Sequence, residues 1–210
     1  MGSGVALYYQ WIDPGVTHQY AFVGRNLISR PILQDPLRVL STLVSSVFLH
    51  AGLAHIGTNM LFLWVFGDNV EDKLGKIKFA FFYVACGALA NITQAIFTGF
   101  GSTPTIGASG AVAGVLGAYF VSFKGARVQT FIFPWSIFTG LIPIPARFFI
   151  VLWFIMQVFA GFGALAGDVT NVAWFAHIGG FLAGWVLCKW MCPKPPSLPG
   201  GPRLEWIRER

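Results

Sequence analysis

Charge is what this 210-residue sequence has least of: 10% of its residues are Asp, Glu, Lys or Arg, against 55% hydrophobic and a mean hydropathy of +0.66. So few charges cannot clothe a water-soluble globule of this size, and the composition belongs in lipid. Cysteine is also scarce. Cys86, Cys188 and Cys192 each lie in or at the end of an apolar segment, without zinc-ligand spacing. They read as small buried hydrophobes, with palmitoylation of Cys188 and Cys192 as the alternative. No signal peptide is expected, because Met1-Gly2-Ser3-Gly4 lacks a basic region and the apolar stretch 5–12 is short and stops at Asp13-Pro14. The net charge of +6 is scattered between apolar runs, not gathered into a stripe, which excludes a nucleic-acid surface. His50, His55 and His177 lack the close helical pair with an adjacent Glu that a zinc peptidase carries, so neither metal nor cofactor is expected.

What is present is apolar and aromatic, with 21 Phe and 8 Trp. A bilayer core of ~30 Å needs ~20 apolar residues per helix. Five stretches come near that length, 52–66, 79–98, 106–123, 148–166 and 171–191, and they predict an all-α polytopic membrane bundle. Residues 39–49 read as an amphipathic or interfacial element. Residues 131–145, broken by Pro134, Pro143 and Pro145, read as a loop on the membrane surface. Lys73, Lys76, Lys78, Lys124, Arg127 and Arg147 fall in loops on one side, together with the basic residues of the tail. That excess marks the cytoplasmic side and puts the C-terminus there. The expected organisation is an outward-facing segment 1–38, a membrane core 39–192 and a Pro-rich cytoplasmic tail 193–210.

Polar groups inside spans are expensive, and so they point to function. The candidates are His55 and Asn59 in the first span, Asn91 and Gln94 in the second, Ser109 in the third and His177 in the fifth. At 1.5 Å per residue, Ser109 should lie ~5 Å and His177 ~9 Å below the outer ends of their spans, with His55 and Asn59 ~5 to 10 Å deep. Taken alone, Ser109 in Gly107-Ala108-Ser109-Gly110 reads as a helix-packing position, and His177 as readily a hydrogen bonder as a base. The glycines change this. Gly110 and Gly114 are four apart, as are Gly180 and Gly184, giving two helices a smooth small-residue face at that level. If the faces meet, Ser109 and His177 come within hydrogen-bond reach as nucleophile and general base. Asp168 reads as an exposed loop residue, so a dyad is expected, not a triad. His55 and Asn59 share a helix face and can donate to an oxyanion or bond between helices. His50 reads as a structural tie, and Asn91 and Gln94 as helix–helix contacts.

Together these residues resemble the rhomboid family, with His55-Ile-Gly-Thr-Asn59, Gly107-Ala-Ser109-Gly110 and Ala176-His177-Ile-Gly179-Gly180 in the family's order. The run from Phe62 to Asp72 followed by Leu74-Gly75 is similar to the family's helix end and cytoplasmic turn, and the likeness covers about 36–190. The resemblance implies a six-helix intramembrane serine protease core that cuts transmembrane protein substrates near their outward end, through an acyl-enzyme on Ser109. It implies His177 as base, and His55, Asn59 and the Ser109 amide as oxyanion donors. The implied setting is a prokaryotic cell membrane with the site open to the outer side, and oligomeric state is left open. Three departures stand out. The family's first helix is missing or reduced to 5–12; Leu37-Arg38 stands where Trp-Arg is usual, Arg38 keeping the charge that could tie the loop; and Ala113 occupies the position where some members have an aromatic supporting the base, so His177 needs other contacts. The rival readings are a rhomboid-like protein that binds transmembrane helices without cutting them, and a small transporter. Retention of both Ser109 and His177 argues against the first. Polar residues at one side of the membrane and the lack of an internal repeat argue against the second.

Overall fold

In the computed structural model, residues 15, 19–166 and 172–192 are described. The apolar stretch 5–12, Asp168 and the tail 193–210 lie outside them. The chain is mostly helical. Short helices α1 (Arg30–Gln34) and α2 (Pro36–Ser45), a 3-10 turn (Ser46–Phe48), and long helices α3 (Leu53–Leu74) and α4 (Lys76–Phe97) come first. They are followed by α5 (Ser109–Ser122), the short α6 (Trp135–Thr139), α7 (Ala146–Leu165) and α8 (Trp174–Met191). Two small antiparallel pairs complete the fold: β1 (Phe22–Val23) with β2 (Pro104–Thr105), and β3 (Arg127–Thr130) with β4 (Ile142–Pro145).

Helix α5 is the axis of the bundle. It carries no charge and every residue from Gly110 to Tyr119 is buried, as expected of a helix that is apolar all round. It packs against α8, α4 and α3, and the main core gathers around it from Phe66, Phe82, Cys86, Leu116, Ile150 and Phe181. The outer surface is apolar too: Trp64, Phe81, Phe138, Phe159 and Trp190 are all exposed. Large apolar side chains over this much surface suit acyl chains, not water.

Five clear spans are not what the helices show. Among the described residues, α4 and α7 are each long and apolar enough to cross a bilayer, and the segment Pro36–Phe48 joins α3 as a third if the 83° bend between them is taken as one broken span. Helix α5 is 14 residues long, a length of ~21 Å. The other shortfalls are polar in origin: His177 and Lys189 dilute α8, and Asp68, Glu71, Asp72 and Lys73 dilute α3. Integral membrane character stands on the apolar helices and surface.

Other boundaries are corrected as well. Helix α3 runs eight residues beyond the expected 66 and takes in the acidic run read as a turn; it stops at Gly75, whose φ of 80° ends the helical path. Helix α5 begins at Ser109 and not at 106, because Gly107 has φ 120°. The Pro-broken stretch 131–145 is no plain loop: Ile142–Pro145 forms β4 against β3 and Trp135–Thr139 is helical. Proline is accommodated because a two-stranded pair is all edge. Helix α2 is amphipathic, burying Val39, Thr42 and Leu43. Cys86 is a buried free thiol, whereas Cys188 and Cys192 form a disulfide instead of standing as separate buried thiols. Their spacing of four places them on one helix face.

Candidate active site

The small-residue faces meet. A methyl group added at Gly180 would strike the Gly110 carbonyl, and one at Gly184 the Gly114 carbonyl, so α5 and α8 touch backbone to backbone. This approach sets His177, one turn into α8, beside Ser109, the first residue of α5. Their Nε2 and Oγ atoms lie 2.8 Å apart across 68 residues of sequence. His177 is buried at 9% exposure and Ser109 is half-buried, on the wall of a cavity of about 820 Å³ that also exposes His55, Asn59 and Gln94.

His177 is held on its other side by a residue the sequence reading missed. Its Nδ1 lies 2.7 Å from Oε1 of Gln157 on α7, a side chain buried at 6% exposure. The rings of Trp153 and Trp174 stand 6.0 Å from the imidazole, centroid to centroid. Gln157 sits in a predicted span, and the rule that polar groups in spans are informative would have flagged it.

His55 and Asn59 stand on α3 across the cavity. Nδ1 of His55 accepts from the Ala51 amide at 3.3 Å, so in the neutral ring the proton lies on Nε2. The His55 ring faces Gly107, where a Cβ would come within 2.7 Å of it; the positive φ and this close approach together require glycine. Asn59 is buried and donates one amide hydrogen to the His55 carbonyl at 2.9 Å, which leaves its second hydrogen for another acceptor.

The loop that presents Ser109 is tied from behind. The Gly107 amide donates to the Ser46 carbonyl at 2.9 Å and the Ala108 amide to Nε2 of His50 at 3.4 Å. His50 lies in the turn before α3, outside the long helices, where burial lowers its pKa against the smaller opposing effect of a hydrogen bond with the Phe48 backbone. A neutral ring is the form that can accept from Ala108. Asn91 donates to the Leu43 carbonyl and to Ser46 Oγ, joining α4 to α2 and its following turn. Gln94 is more than a helix contact: its Oε1 accepts from the Ala176 amide at 3.0 Å and so caps the first turn of α8. Arg38 lies apart, exposed on α2, where its backbone amide donates to the Asp35 side chain; it is not part of the cavity wall. No group of three His, Cys, Asp or Glu gathers at one point among the described residues.

A hydroxyl at a helix N-terminus, an imidazole at hydrogen-bond distance and further donors across a cavity make the arrangement of a serine hydrolase. The Rhomboid domain family matches residues 38–194, and the chain belongs to the rhomboid family. It is similar to RHOMBOID-like protein 4 of Arabidopsis thaliana, 36% identical over 80% of this chain and 36% of that protein. It is 31% identical to Rhomboid protease GluP of Bacillus subtilis (strain 168), over 68% of this chain and 24% of that protein. Rhomboid protein 1, mitochondrial, of Saccharomyces cerevisiae is 26% identical over 98% of this chain and 55% of that protein. The chain thus spans from about a quarter to little more than half the length of these relatives. Because they come from a plant, a bacterium and yeast, the expected assignment to a prokaryotic cell membrane is not supported. Integral membrane location is.

Proposed function

We propose that this chain is an intramembrane serine endopeptidase that hydrolyses peptide bonds near the outward end of transmembrane helices in membrane protein substrates. The observation that carries the reading is the 2.8 Å approach of His177 Nε2 to Ser109 Oγ on the wall of a cavity that also holds the polar groups of His55, Asn59 and Gln94 inside an apolar bundle. Membrane-depth ionisable groups are tolerated where they line water, and hydrolysis needs that water.

Ser109 Oγ attacks the scissile carbonyl while His177 Nε2 takes its proton; the C–N bond then breaks, His177 returns the proton to the leaving amine, and the substrate's acyl part stays on Ser109. Water, deprotonated by His177, attacks the ester; the acyl–Oγ bond breaks, the acid leaves, and His177 returns the proton to Ser109 Oγ. The oxyanion of each tetrahedral intermediate is met by His55 Nε2–H, by the spare Asn59 hydrogen and by the Ser109 amide, at the positive end of the α5 dipole. The substrate helix must unwind to expose its carbonyl, which favours segments weakened by glycine or proline. In this reading residues 39–192 are the protease core, 1–38 an outward segment and 193–210 a cytoplasmic tail, with the cavity open to the outer side.

The test is cleavage of a single-span reporter with a Gly-containing outer helix by the full chain in detergent, beside Ser109→Ala and His177→Ala. Each variant should lose activity by a factor on the order of 10⁵ or more. A fluorophosphonate should label the parent and leave Ser109→Ala unlabelled. A folded parent that binds the reporter without cutting it would make helix binding the function instead.

A further inference from the structure

We propose that Gln157 is a positioning residue that fixes the proton of neutral His177 on Nδ1, leaving the Nε2 lone pair directed at Ser109. The inference rests on the endopeptidase reading and deepens it.

The two ends of the Gln157 amide are told apart by their partners. Its Nε2 lies 3.2 Å from the Trp153 carbonyl, which can only accept, so the NH₂ end must point there. The Oε1 end therefore faces His177 Nδ1 at 2.7 Å, and an amide oxygen can only accept. Nδ1 must be the donor. In the neutral ring, Nε2 is then the acceptor, and at 2.8 Å from Ser109 Oγ it must receive the serine proton. One backbone carbonyl on α7 thus sets the direction of a hydrogen-bond chain running through Gln157 and His177 to the nucleophile.

The residue type suits the place. A carboxylate at that depth would be an uncompensated buried charge, whereas an amide orients the ring without one. Ala113, fully buried on α5, has no side chain able to support the imidazole, so α7 takes that task. The other groups facing His177 are His55 from α3, the Trp153 ring from α7 and the Trp174 ring from its own helix, while on α4 the groups packed on neighbouring positions of α8, Thr93 against Gly179 and Gln94 against the Ala176 amide, are neutral. Of these, only Gln157 is hydrogen-bonded to Nδ1 among the described residues.

The experiment combines imidazole nitrogen-15 spectra of the full chain in micelles with kinetics of Gln157→Leu and Gln157→Glu. The parent's neutral His177 should show a protonated Nδ1 and Gln157→Leu a mixture of tautomers. In Gln157→Leu, kcat should fall on the order of 10- to 100-fold, as when an outer partner of a functional histidine is removed, with KM little changed. Gln157→Glu keeps the acceptor and adds a negative charge that favours imidazolium, so the acidic limb of its kcat/KM profile should move to higher pH. Parental kcat and parental His177 spectra in Gln157→Leu would overturn the proposal. If that variant does not fold, a parent whose neutral His177 carries its proton on Nε2 overturns it. If the parent cleaves nothing, the endopeptidase reading fails by itself. The spectra then decide: a parent with its proton on Nε2 sinks the tautomer assignment, and one with it on Nδ1, lost in Gln157→Leu, sustains it.

Discussion

Helices α7 and α8 stand on either side of the candidate base and are held by opposite means. In α8, eight of 18 residues are buried, Gly179, Gly180 and Gly184 among them, and its backbone lies directly on that of α5. In α7, four of 20 are buried, and Phe148, Phe159 and Phe162 project outward. The first helix leaves no room for adjustment; the second meets the bundle through Ile150, Gln157 and a few aromatic rings. In lipid the hydrophobic effect does not press helices together, so close van der Waals contact and hydrogen bonds do. His177 is therefore placed by α8 and oriented by α7.

Forcing the tight side open should have the largest effect. Gly184→Leu would set a side chain against the Gly114 backbone, which cannot rotate away, and should destabilise the fold by ~3 kcal/mol or more by overpacking. Chemical denaturation in micelles measures this, and near-parental stability would show that α8 can shift. On the sparse side, Ile150 is fully buried, so Ile150→Ala should cost ~2 to 3 kcal/mol in the same assay, chiefly from the cavity it leaves. Arg147, at the start of α7, donates through Nε to the Phe120 carbonyl at 3.0 Å and stands 4.7 Å from the Phe120 ring. Arg147→Ala should then cost ~1 kcal/mol. A loss as large as that of Gly184→Leu would mean α7 is anchored at its base as firmly as α8 is along its length.

The smallest effect concerns the turn behind Ser109. His50 has a folded-state pKa below its ordinary value, so between the two values the unfolded chain binds more protons. Its contribution to stability is complete above the ordinary histidine value and declines as pH falls below it, levelling off beneath the folded-state pKa. His50→Gln should remove that component from the pH dependence of unfolding, and an unchanged profile would show that the tie to Ala108 carries no linkage.

Much of this was legible in the residues alone. The low charge and the apolar runs located the long helices to within a few residues, apart from the far end of α3. The order of His55, Asn59, Ser109 and His177 carried the family likeness, and the paired glycines anticipated which helices touch. The count of spans was less legible, because α5 is only 14 residues long and α8 carries His177 and Lys189, so neither has the length and composition of a helix that crosses a bilayer alone. The strand pair β3–β4 was hidden because Pro143 and Pro145 rule out a helix without announcing an edge strand.

The sequence by itself determined that this chain lives in a membrane, that it has a serine and a histidine in rhomboid-type settings, and that two glycine faces could join. Composition and local spacing suffice for such properties. Only the tertiary structure decided that Gln157 meets His177, that Gln94 caps α8 and that His50 holds the Ala108 amide. Those partners lie 20, 82 and 58 residues apart, and which polar group in a span finds which acceptor depends on how the helices are rotated against one another.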